Sequence, residues 1–115
     1  MNPLTQTVAT ERATLAQTLR LAHPRRRRDA MVLRGQLAQI TATTRRIAAL
    51  KPPGSARMRF LGYTRANAAL VGALTSYIDA FASGTTAQQT AAAQGAQTAA
   101  SRADGAETTL RDALK

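Results

Sequence analysis

Apolar residues recur along this chain at steps of three and four, the spacing that gathers side chains on one face of an α-helix. Pro and Gly break the pattern at three places, His23-Pro24, Lys51-Pro52-Pro53-Gly54 and Ser83-Gly84. Four amphipathic segments remain, and the spacing predicts helices over about 3–22, 29–50, 55–82 and 85–114. In the first, Leu4, Val8, Leu15 and Leu19 form the stripe, with Glu11 where it would otherwise continue. Pro3 suits a first helical position and Asn2 its N-cap. In the second, Leu33, Leu37, Ile40, Thr44 and Ile47 follow the spacing of a heptad seam. Asp29 is the expected N-cap there. Arginines in a first helical turn oppose the helix dipole, so Arg25 to Arg28 are placed mostly in the preceding loop.

The third segment carries Phe60, Tyr63, Asn67, Leu70, Leu74, Tyr77 and Phe81 on one stripe, with Val71 and Ile78 beside it. All four aromatic residues of the protein lie on it, so this helix is the expected spine of the core. The fourth segment opens on Thr85 and Gln88, a capping-box pair. It has no large apolar residue until Leu110, yet Ala92, Ala96, Ala99, Ala103, Ala106, Leu110 and Ala113 keep the seam spacing. An alanine seam lets a helix approach its neighbour closely. Gly95 and Gly105 argue instead for a low-complexity tail, since each costs about 1 kcal/mol inside a helix. The length of the seam favours the helix. Asn67 and Thr44, polar residues within apolar seams, are expected to face each other and fix helix register, or to sit at the seam margins near water.

The pattern therefore predicts one all-α domain over 1–115, an antiparallel up-down-up-down four-helix bundle whose last two helices are longest. A long helical hairpin that dimerises into a bundle is the alternative. At 115 residues a single domain can bury a core. Large side chains are scarce, however: aromatics are 3%, there is no Trp, and alanine supplies much of the 44% hydrophobic fraction.

Charge divides the chain. Residues 1–65 hold 13 of the 16 basic residues and 2 of the 6 acids, and the whole has a formal charge of +10. Such asymmetry concerns partners and solubility rather than fold. All the basic residues but Lys51 and Lys115 are arginine. Arg is favoured for bidentate phosphate contacts, but a GC-rich coding sequence enriches Arg and Ala together and is the plainer cause. The run Arg25-Arg26-Arg27-Arg28, with Arg20 and Arg34 near it, is the candidate anion-binding set. A solvated loop that keeps a basic protein soluble is its plainer reading. No aromatics are interleaved for base stacking. A helix-turn-helix is disfavoured, because Met31 and Thr41 fit poorly around Gly35 and the seam runs through Gly35 unbroken.

Catalytic chemistry has no visible seat. There is no cysteine, and the one histidine, His23, lies in a loop beside the arginine run. The acids are dispersed; Asp104, Glu107 and Asp112 are expected to bridge locally to Arg102 and Arg111, with Asp104 and Glu107 three apart on the helix surface. No phosphate-cradling glycine motif occurs. The expectation is a non-enzymatic chain without cofactor, metal site or small-molecule substrate. No signal peptide or transmembrane span is legible in the sequence.

The stretch from Arg45 to about Ala100 resembles small helical extracytoplasmic or lipoprotein-like domains of GC-rich actinobacteria. The matching residues are Ile47, Leu50, Pro52, Pro53, Phe60, Tyr63, Leu74, Phe81 and Gly84. The chain departs from that pattern in lacking a lipobox Cys and any late Cys. The resemblance implies a helical fold and an outside location, with no assigned activity. A helical interaction module, binding a protein partner or itself through the third and fourth seams, is the leading expectation. A phosphate-binding module for nucleic acid or an anionic membrane surface is the alternative.

Overall fold

A computed structural model describes residues 3–23 and 26–114. The chain folds into α1 (Pro3–Leu21), α2 (Arg27–Ala48), α3 (Arg57–Ser83) and α4 (Thr86–Ala113), with one 3-10 turn at Gly54–Ala56 before α3. No strand occurs among the described residues. At 27 and 28 residues, α3 and α4 exceed α1 and α2, at 19 and 22. A 28-residue helix spans about 42 Å, close to the 46 Å long axis of the molecule. No helix among the described residues is long and apolar enough to cross a membrane.

Each helix packs on its neighbour in the sequence, and the α3–α4 pairing is the most extensive. One core cluster gathers Val8 and Leu15 of α1, Leu33, Leu37, Ile40 and Ile47 of α2, Phe60, Tyr63, Ile78 and Phe81 of α3, and Leu110 of α4. Burying one such Leu, Ile or Phe fully is worth roughly 1.5–3 kcal/mol. A smaller cluster is Leu70 of α3 against Ala99 and Ala103 of α4. The alanine seam is thus the buried face of α4: Ala96, Ala99, Ala103 and Leu110 are all buried. Most of the α3 stripe is buried as expected, but Leu74 and Tyr77 are half-buried and Ile78 (1% exposed) takes the innermost place beside them. Tyr77 stands edge-on to Phe81, ring centroids 6.4 Å apart.

The helix ends correct the expected boundaries in one instructive place. α2 starts at Arg27, two residues before the expected Asp29, and Arg26 holds the N-cap position without a side-chain cap bond. Arg27 and Arg28 therefore lie within the first turn, and Asp29 is not the cap. Instead the Asp29 carboxylate accepts a hydrogen bond of 2.8 Å from the His23 backbone N–H. An acid in the first turn favours the helix dipole, and the arginine side chains beside it are solvent-exposed, where their opposition to that dipole is weakened. The helix then runs through Gly35 without interruption. The expected caps Asn2 and, in part, the loop placement of Arg25 fall outside the described residues.

The α3–α4 connection is tight. The Thr85 hydroxyl accepts from the Gln88 N–H at 3.1 Å and the Gln88 side chain accepts from the Thr85 N–H at 2.8 Å, completing the capping box. Gly84 before it is buried, and its N–H donates to the Ala80 carbonyl at 2.7 Å. A Cβ at Gly84 would sit 2.7 Å from the Ala80 oxygen and 2.9 Å from the Ala80 Cα. Space, rather than backbone dihedral, makes this position a glycine.

Two variants test this packing. Gly84→Ala is expected to lower unfolding free energy by about 1–3 kcal/mol, the cost of overpacking against rigid backbone. Ala99→Glu places an unpaired charge in the α3–α4 seam and is expected to cost about 3–5 kcal/mol. Urea denaturation followed by circular dichroism reads both; an unchanged midpoint for Ala99→Glu would mean that α4 does not pack through its alanines.

Candidate anion-binding surface

The sequence-predicted arginines divide into two groups. Arg20, in the last turn of α1, and Arg26, Arg27 and Arg28, at the start of α2, are all exposed. They flank the short connection between the two helices. A backbone hydrogen bond from the Arg26 N–H to the His23 carbonyl, 3.2 Å, turns the chain there, and the Asp29–His23 bond ties α2 back to it. None of these four guanidinium groups makes an ion pair among the described residues. Arg34 differs. It points across to α3 and meets Asp79 at 3.4 Å, both side chains more than half exposed. Such a pair is worth little, at most about 1 kcal/mol, but it directs Arg34 away from the others. Arg25 lies outside the described residues.

The sequence did not announce a second feature, an open side between α1 and α4. No Cα of α1 lies within 8 Å of one in α4 among the described residues. A groove of about 360 Å³ separates them, with Ala9, Ala13, Ala16, Leu15 and Leu19 on the α1 side, Ala100 on the α4 side, and Leu70 and Leu74 of α3 also lining it. One ion pair spans it, Arg12 of α1 to Asp104 of α4 at 3.0 Å. Asp104 was expected to bridge locally; it reaches another helix instead, whereas Glu107 does pair locally, with Arg111 at 3.3 Å. The signal that could have revealed the groove is the small-residue stripe of α1, whose Ala9, Ala13 and Ala16 follow helical spacing outside the Leu4–Leu19 seam.

The polar residues within the seams resolve differently from expectation. Thr43, rather than Thr44, is the buried threonine of α2, and its hydroxyl donates to the Gln39 carbonyl at 3.0 Å. Thr44 is half-buried and donates to the Thr41 carbonyl at 2.8 Å. Bonds of this kind let a hydroxyl enter an apolar face without a partner from another helix. Asn67 is 3% exposed, and its Nδ2 has no hydrogen-bond partner. No hydrogen bond therefore joins Thr44 and Asn67. Glu11 Oε1 and Gln36 Oε1 are likewise buried without partners, although the Gln36 Nε2 donates to the Thr18 hydroxyl at 2.9 Å.

Among the described residues, no group of three or more His, Cys, Asp or Glu side chains could hold a metal ion. Comparison with protein-family models, curated proteins and solved structures finds no match to this chain.

An unpaired buried donor is costly, whereas an apolar group of similar shape is not. Asn67→Leu is therefore expected to raise unfolding free energy by about 1–3 kcal/mol. Differential scanning calorimetry would show the change as a higher Tm; a lower Tm would mean that Asn67 holds a stabilising partner.

Proposed function

We propose that this chain is a non-enzymatic helical interaction module, an up-down-up-down four-helix bundle that works through its surfaces, with a second copy of itself as its first partner. The third and fourth seams, expected to carry the contact, are spent inside the chain: Phe60, Tyr63, Leu70, Ala99 and Ala103 are buried in its own core. The observation that carries the reading is the open α1–α4 side. The small residues Ala9, Ala13, Ala16 and Ala100 along it let a helix ridge approach closely. Its charged groups are opposite in sign on the two helices, Arg12 on α1 and Asp104 on α4. A two-fold contact sets α1 of one copy against α4 of the other, so that Arg12 and Asp104 exchange partners between copies. This reading extends the resemblance of residues 45–100 to small helical extracytoplasmic domains, and an outside location is the corresponding proposal.

A second reading has its own observation. Arg20, Arg26, Arg27 and Arg28 are exposed at one connection and unpaired by acids among the described residues, which suits phosphate groups.

Sedimentation equilibrium across a wide concentration range tests the first reading. Mass is expected to rise toward the dimer. Ala13→Glu, a change at an exposed groove residue, is expected to weaken dimerisation at least about tenfold, the scale of a like-charge or unpaired charge at an interface, with Tm unchanged. A wild-type chain that stays monomeric at every concentration overturns the reading.

A further inference from the structure

We propose that the corner where α1 ends and α2 begins is a docking surface for an anionic lipid bilayer, resting on the phosphate-binding reading of its arginines. Leu21, Met31 and Val32 enter the headgroup region, and Arg20, Arg26, Arg27 and Arg28 hold the lipid phosphates.

The argument starts from what is exposed. Leu21 is 75% exposed, Met31 67% and Val32 47%. A lone exposed apolar residue is ordinary. Here three of the six exposed large apolar residues among the described residues stand within the last turn of α1 and the first two turns of α2. Arg27 and Arg28 precede Met31 and Val32 by one helical turn, so basic and apolar groups share an exposed face. Arg20 adjoins Leu21 on the other helix. Long arginine stems lie along apolar surface while their heads remain at the phosphate level, which suits a bilayer interface. Asp29 is the one acid within the corner, and its carboxylate is turned inward to the His23 N–H.

Two observations favour lipid over nucleic acid. Leu21 and Met31 have no role against a phosphodiester backbone, whereas a bilayer rewards their burial. No aromatic residue occurs between Met1 and Arg59, so stacked bases find no platform here. The start of α3 carries a counterpart with fewer arginines, Met58 and Leu61 exposed beside Arg57 and Arg59. Anionic lipid attracts each juxtamembrane basic residue independently, so the arginines act additively and their effect fades with salt.

The chain has no Trp, so Met31→Trp provides a unique fluorophore at the corner. With vesicles of equal parts phosphatidylcholine and phosphatidylserine at physiological salt, its emission is expected to shift to the blue. Gln97→Trp, on the exposed face of α4, is expected not to shift. The triple variant Arg26→Gln/Arg27→Gln/Arg28→Gln is expected to lower vesicle affinity about a hundredfold. Leu21→Ser/Met31→Ser is expected to lower it about tenfold while leaving binding to labelled duplex DNA unchanged. All the altered side chains are exposed, and circular dichroism confirms that each variant folds. Equal binding to pure phosphatidylcholine, or an equal blue shift at Gln97→Trp, overturns the proposal. DNA binding that depends on Arg26 to Arg28, without vesicle binding, overturns the lipid surface and leaves the phosphate-binding reading standing. Absence of binding to either overturns both.

Discussion

The fold depends on unequal exchange of side-chain bulk between α3 and α4. α4 buries three alanines, Ala96, Ala99 and Ala103, and reaches the main core with a single large buried residue, Leu110. α3 must therefore supply the volume for both, and Phe60, Tyr63, Leu70, Ile78 and Phe81 do so. Dense packing requires large residues to face small ones, and here the alternation is sorted by helix rather than by layer. α2 meets α3 with its own large seam, and α1 adds Val8 and Leu15. The open α1–α4 side follows from the same arithmetic of volume. Ala9, Ala13 and Ala16 of α1 and Ala100 of α4 leave space that Leu15 and Leu19 do not fill, and only the Arg12–Asp104 pair bridges it among the described residues.

Much of this arrangement is legible in the sequence. The α3 stripe, the alanine seam and the Thr85–Gln88 capping box all follow from side-chain periodicity and from one local bonding rule. Misreadings occur where local rules compete with long-range contacts. The dipole argument against arginines in the first turn of α2 is sound locally, but Asp29 reaching His23 alters the balance. Thr43 and Thr44 exchange roles because either hydroxyl can bond the preceding turn, so one seam position can rotate past another at little cost. The Arg12–Asp104 pair joins residues 92 positions apart, and no local spacing announces it.

The candidate surface was legible as composition and not as geometry. Four consecutive arginines are evident in any reading of the chain. That Arg34 turns to Asp79, while Arg20 joins the others across a helix connection, depends on how α1, α2 and α3 meet. The exposed Leu21, Met31 and Val32 were hidden for a related reason. In a periodic sequence an off-stripe apolar residue reads as noise until the packed face is known, and then it marks the face left over.

The alanine seam also has a dynamic consequence. Each buried alanine contributes little apolar area, so the free energy that holds α4 in place is spread thinly and concentrated toward Leu110. The turns just after Thr85 contain no buried residue before Ala96. Regions with few buried contacts open first and most often. The amides of that stretch therefore exchange with solvent through local fraying, while those near Leu110 wait for larger openings. The reciprocal Thr85–Gln88 bonds act as a latch on this process, setting how often α4 peels from α3 without the rest of the chain unfolding.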